Sequence, residues 1–382
     1  MALLSLMGTL PHVSAPRNVA ALLALVAAAA ACGGGSPTIV AIHSPSPASS
    51  PSTSAQASPS ANATASTQPV TGSYGVLATR PGNTSGQYTV SVVGIDGKVT
   101  GSKTINSPAN VSCANAAAAV VPIPVSTSNT GVYYEEASGG VTFMSPNGQV
   151  RQSASVPAGT ASRRSMFAVS PDDQRIAVVV ADFNSSGAST RLYVENLDGT
   201  NHLDLFSESG AYTLWPIGWH GTNNLVVAKV PSCTQGGGPF CCGPLELHVV
   251  DPATGTRRFI LGGSGCVVAG PASIAGVACE TSDFTQVREI NWTAGAFNSF
   301  PIQGPAPAYL SPDGQLALVA SGGTTVIPAI ALSMDACLWI DNSHLLAGGD
   351  AQNQARIGEV PGGKILPVAA QGECAGRIPG GL

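Results

Sequence analysis

The chain has 382 residues, 45 of them Gly and 29 Pro. Only 10% are charged, against roughly 25% in an ordinary soluble domain, which excludes a charge-laced helical protein or a coiled coil. A hydrophobic share of 44% is ample for a core, and a net charge of −5 leaves no basic footprint for nucleic acid.

Residues 1–31 carry no acid and a single Arg or Lys, Arg17. Behind it, Val19 to Ala31 is an apolar stretch of 13 residues, short of the roughly 20 needed to span a bilayer. A basic flank, a short apolar region and a run of small residues predict a secretory signal peptide over 1–31. That run ends at Cys32, followed by Gly33-Gly34-Gly35. Ala29-Ala30-Ala31-Cys32 resembles the bacterial lipobox, with Ala29 where Leu is preferred. The resemblance implies acylation of Cys32, which becomes the new N-terminus at the outer face of the cell membrane. The lipid anchor is then the expected membrane partner, since two or more acyl chains hold firmly where one does not.

No Asp, Glu, Lys or Arg occurs from Gly33 to Thr79, and Pro recurs at 37, 45, 47, 51, 59 and 69 amid Ser, Thr and Ala. Such a segment cannot bury enough apolar area to offset its ordering entropy. Residues 32–70 are therefore expected to form a disordered tether, reaching about 35 Å as a coil or up to about 120 Å if polyproline-like.

From residue 71 to 382 the pattern changes to short β-branched and aromatic runs. Examples are Tyr88 to Val93, Ile176 to Val180 and Leu245 to Val250. Asp96-Gly97, Asn147-Gly148, Asp198-Gly199 and Asp313-Gly314 separate such runs, and these pairs favour tight hairpin turns with positive φ. No segment holds a helical period over ten residues, so the predicted class is all-β.

Two repeats refine this. Ser170-Pro171-Asp172-Asp173-Gln174-Arg175-Ile176-Ala177-Val178 recurs as Ser311-Pro312-Asp313-Gly314-Gln315-Leu316-Ala317-Leu318-Val319, with a fainter copy from Ser145. Trp219 to Val227 pairs with Trp339 to Ala347, each with Leu six residues after the Trp. At about 40–45 residues per four-stranded blade, this region makes about seven blades, within a range of six to eight. The expected blades begin near 74, 130, 165, 214, 266, 307 and 336, the sixth being short.

Residues 170–206 resemble a blade of the TolB-like, WD-repeat-like β-propellers through Ser170-Pro171-Asp172, Ile176-Ala177, Leu192-Tyr193-Val194 and Leu197-Asp198-Gly199-Thr200. Asp173 stands where that pattern has Gly. The resemblance implies the propeller fold and leaves function open, since one fold hosts many functions.

Removing Cys32 from the nine cysteines leaves eight, at 113, 233, 241, 242, 266, 279, 337 and 374. An even count in an exported chain predicts disulfides. The expected bridges are Cys266–Cys279 across a hairpin, Cys337–Cys374 within the last blade, and Cys233 to Cys241 or Cys242. No His or acid flanks Cys241-Cys242 at metal-ligand spacing.

Glu135-Glu136 would point to opposite faces of a strand and is expected on a solvated edge. Asp172-Asp173 is expected to serve turn chemistry, and Trp215, Trp219, Trp292 and Trp339 the blade cores. The sequence has no HExxH, Gly-x-Ser-x-Gly, phosphate-binding loop or dinucleotide fingerprint. It therefore nominates no catalytic residue, metal or cofactor.

In the resembling blades the loops between second and third strands open on one face. The resemblance places Asp182–Thr190 and Pro231–Pro244 there, as two long neighbouring loops of the kind that commonly carry binding. Asp182, Phe183, Asn184, Thr234, Gln235 and Phe240 are the candidate rim residues. The expected role is non-catalytic binding of a protein or cell-envelope ligand. The alternative is an exported hydrolase or lyase with its site in the central funnel.

Overall fold

The computed structural model describes residues 69–80, 86–111, 121–185, 187–233, 246–263, 265–320, 322–327 and 330–382. The expected signal peptide, Cys32 and nearly all of the expected tether lie outside the described residues. The described strands pair into seven four-stranded antiparallel sheets, the blades of a β-propeller. Blades 2 to 7 occupy residues 125–155, 163–210, 212–262, 266–301, 308–332 and 338–367. Their starts fall within five residues of those expected, and the short sixth blade stands as a sheet of its own.

Blade 1 is assembled differently. Its strands Tyr74–Ala78, Gln87–Gly94 and Val99–Asn106 are joined by Glu373–Ile378, which pairs with Tyr74–Ala78 and is innermost. The ring is thus closed by a strand nearly 300 residues away in sequence. Of the expected bridges, Cys337–Cys374 therefore does not lie within the last blade. It ties the approach to blade 7 to the closing strand of blade 1. Cys266–Cys279 joins the first two strands of blade 5. Cys233 is disulfide-bonded, whereas Cys241 and Cys242 lie outside the described residues.

The four Asp-Gly and Asn-Gly pairs sit in turns, with φ of 80°, 83°, 81° and 93° at Gly97, Gly148, Gly199 and Gly314. The buried hydroxyl of Ser170 locks its own turn by donating to Asp172 Oδ1 at 2.5 Å and accepting the Arg175 N–H at 2.9 Å. Ser311 repeats this with Asp313 and the Gln315 N–H. Asp173 adopts φ 58° in place of the usual Gly, a conformation that Asp tolerates better than most residues. Its carboxylate accepts hydrogen bonds from Thr130 Oγ1 and Tyr133 Oη of blade 2, both at 2.7 Å. The Asp thus trades backbone ease for a tie between blades.

The two sequence repeats meet in space. Trp219 Nε1 donates to Ala168 O at 3.0 Å and Trp339 Nε1 to Tyr309 O at 3.1 Å. Each acceptor lies two residues before the Ser-Pro-Asp serine of the preceding blade. One repeat is the donor and the other frames the acceptor of the same inter-blade staple. All four Trp are buried, each indole removing a large apolar area from water; Trp292 Nε1 donates to Ser273 O within its own blade, and Trp215 Nε1 has no hydrogen-bond partner.

Candidate functional site

The innermost strands surround a cavity of about 1170 Å³ to which all seven blades contribute lining residues. At the face where these strands begin, Arg80, Asp335, Asp350, Arg356 and Glu373 line the cavity. Arg80 Nη2 donates to Glu373 Oε2 at 2.9 Å, and its Nε pairs with Oε1. Asp350 Oδ1 accepts the backbone N–H groups of Gln352 and Asn353 at 2.8 and 2.7 Å. Those bonds, Asn353 first, hold its carboxyl below the usual range. Arg356 Nη1 donates to Ser333 O at 3.0 Å. Burial, with Asp335 adding to it, pushes the Tyr309 phenol up to about 12, which keeps it a neutral hydrogen-bonding group.

At the other end, residues 379–382 pass beneath blades 2 to 4. Gly380 N donates to Ser128 O and Leu382 N to Trp219 O, each at 2.8 Å, while Leu382 O lies 2.6 Å from His220 Nδ1. Gly381 and Leu382 form part of the cavity wall there.

The expected rim is redrawn by the structure. Asp182–Thr190 is not a long loop: strands Arg175–Asn184 and Gly187–Asn196 pair in continuous register out to Asn184 opposite Gly187. The strands extend because Phe183 and Ala188 are buried and the Thr190 hydroxyl donates to Thr213 Oγ1 of blade 4 at 2.9 Å. Phe183 belongs to the core and is not a rim contact. Asp182 accepts two hydrogen bonds from Arg163, at 2.8 and 3.1 Å, and Asn184 ends its strand at the turn. Thr234, Gln235 and Phe240 lie outside the described residues.

Glu135 also departs from expectation. It is 0% exposed, with Arg164 Nη2 of blade 3 at 4.0 Å. Neither carboxylate oxygen has a hydrogen-bond partner, nor does Arg164 Nε. Burial pushes the Glu135 carboxyl up to about 7 against the opposing pull of Arg164. Neither residue lines the central cavity. Glu136 turns the other way and accepts a hydrogen bond from Thr142 Oγ1 at 2.9 Å. A pair sharing one seam partner left no linear signal, because its halves stand on separate blades.

Among the described residues, no group of three or more His, Cys, Asp or Glu is placed to hold a metal ion. Among the same residues, no helix is long and apolar enough to cross a membrane.

No protein-family model matches the chain. No curated protein matches it either. Among solved structures it is similar to an oligogalacturonate lyase in complex with manganese, with 11% identity and a TM-score of 0.36 over 74% of each chain. No chemistry is carried over from a likeness at that level.

Proposed function

We propose that the protein is an exported, lipid-anchored β-propeller that binds a protein or cell-envelope ligand without transforming it. The observation that carries this reading is the state of two of the three acids at the funnel mouth, Glu373 and Asp350. Glu373 is engaged by Arg80, and Asp350 is spent on its own turn. A general base needs an accessible lone pair and a pKa near the working pH; the turn that holds Asp350 moves its carboxyl away from that range, and both oxygens of Glu373 are engaged by Arg80. The group with the more suitable pKa, Glu135, is sealed inside a blade seam. A large cavity whose mouth is framed by the Arg80–Glu373 pair and by fixed turns is organised for recognition.

The signal peptide and Cys32 support the membrane location. Cys32→Ser is expected to move the chain from the membrane fraction to the soluble fraction and to abolish labelling by radioactive palmitate. Unchanged fractionation would remove the anchor from this account. The binding role is tested by presenting the detergent-solubilised full chain to an envelope extract and weighing what elutes. Intact ligand, stoichiometric with the protein, is the expected result. Cleaved material in excess over the protein would establish an enzyme.

A further inference from the structure

Blade seams are usually apolar on both sides, and the side of blade 1 facing blade 2 keeps to this. Tyr88, Val90, Val92 and Ile105 are buried in one cluster with Val132 and Tyr134. The opposite side of the same strands differs. Alternate positions along Gln87–Gly94 place Thr89 and Ser91 there, opposite Thr104 and Ser102 of Val99–Asn106. The hydroxyls of Thr89 and Thr104 lie 2.9 Å apart, and those of Ser91 and Ser102 lie 3.0 Å apart. Apolar contact with blade 7 is kept by Leu77 and Val93, which pack with Ile340, Leu346 and Ile357. Beyond them the seam opens into a cleft of about 630 Å³. Its blade 7 side includes Asp350, Gln352 and Gln354, which also line the central funnel, so the two spaces share a wall.

The chemistry of the cleft narrows its occupant. Hydroxyls and carboxamides both donate and accept hydrogen bonds. No Lys, Arg or His is among the described residues that line the cleft, so an anion would meet no counter-charge from them. The one carboxylate among the described lining residues, Asp350, is held by its own turn. A peptide added as a strand needs an open strand edge; Gln87–Gly94 is paired on both sides, and the open edge in blade 1 belongs to its outermost strand, Val99–Asn106. The apolar lining residues, Ala351, Val368, Ala369 and Ala370, are small and form no pocket for a large side chain. The volume lies within the roughly 300–1,000 Å³ usual for small-molecule sites.

We propose that the cleft between blades 7 and 1 binds a neutral glycan, with the Gln352 and Gln354 carboxamides on one wall and the Thr89 and Ser102 hydroxyls on the other. This rests on the binding reading above and gives its ligand a chemical class. The test is calorimetric titration of the full chain in detergent with hexasaccharides of glucose, mannose, galactose and N-acetylglucosamine. A galacturonate hexamer and a Ser/Gln-rich peptide serve as competitors of other classes. Two variants are compared, Gln352→Ala/Gln354→Ala and Ser102→Phe, all three positions being exposed. The expected result is binding of at least one neutral hexasaccharide, weakened at least tenfold in both variants with the melting temperature preserved.

Preferential binding of the galacturonate hexamer or the peptide would overturn the assignment. So would neutral-glycan binding that both variants retain. If no neutral hexasaccharide binds but an intact envelope ligand is still captured by the Ser102→Phe variant, the glycan assignment fails and the binding role survives. Loss of capture by the unmodified chain would remove the binding role as well.

Discussion

The seam between blades 3 and 4 and the seam between blades 7 and 1 solve the same packing problem with opposite chemistry. At the first, Trp219 is 1% exposed, donates to Ala168 of the neighbouring blade, and lies under the Arg175 guanidinium at 4.9 Å. Apolar side chains fill the space from both sheets. At the second, one apolar cluster runs from Leu77 and Leu346 out to Ile357 and Val368, and a disulfide from Cys337 to Cys374 crosses the seam. Hydroxyls occupy much of the rest. Packing stabilises a seam in proportion to the apolar area removed from water, whereas hydroxyls left facing a cleft contribute little to folding. What distinguishes the 7–1 seam is therefore its readiness to meet a polar ligand, and the bridge compensates for the packing it lacks.

The sharpest break of this contrast is Trp219→Ala, which removes a buried indole and its staple. It is expected to cost about 3–5 kcal/mol, as large-to-small core changes at aromatic sites do, read as a lowered urea midpoint. Replacing Cys337 and Cys374 by Ser opens a bridge of sequence separation 37, worth about 4 kcal/mol in the chain-entropy model. Under reducing conditions the bridged and Ser-substituted chains should unfold alike. A loss below 1 kcal/mol would show that the hydroxyl-lined seam stands without its bridge.

A third seam, between blades 2 and 3, holds the buried Glu135–Arg164 pair. The folded carboxyl titrates near 7 against an ordinary value of 4.5, so the folded state holds a proton that the unfolded state releases. The contribution of this carboxyl to stability is then fully present below about pH 4.5 and is lost as pH rises to 7, by roughly 3 kcal/mol. Glu135→Leu/Arg164→Met should flatten that part of the pH profile while remaining folded, because buried ion pairs are often replaceable by apolar groups of similar volume. An unchanged slope in the double variant would place the pH dependence elsewhere.

Smaller effects complete the series. Asp173→Gly relieves a positive φ but gives up two hydrogen bonds to a carboxylate, for a net loss of about 1–2 kcal/mol. A gain in stability would show the backbone term to dominate. Thr89→Val in the cleft should shift stability by no more than about 0.5 kcal/mol while weakening glycan binding several-fold.

Much of the fold was legible because its signals are local. Positive-φ turns at Gly97, Gly148, Gly199 and Gly314, the Ser-Pro-Asp turns and the spacing from Trp to Leu each arise within ten residues. What escaped is long-range. The strand Glu373–Ile378 pairs with Tyr74–Ala78, whereas sequence order alone puts it, and the Cys337–Cys374 bridge with it, in the last blade. The resemblance to propeller blades places a long loop at Asp182–Thr190, whereas Phe183 and Ala188 pack inward and carry the strands on. The cleft had no linear signature at all. Thr89, Ser91, Ser102 and Thr104 read as ordinary solvated strand positions until ring closure set them against blade 7.

Hydrogen–deuterium exchange of the full chain, with and without the tightest-binding neutral hexasaccharide, compares the two seams in one experiment. Slowed exchange in peptides covering 87–104 and 348–356, with none at 215–230, is the result expected of a ligand-reading 7–1 seam and a structural 3–4 seam. Protection at 215–230 in place of the cleft, or protection nowhere, would contradict it.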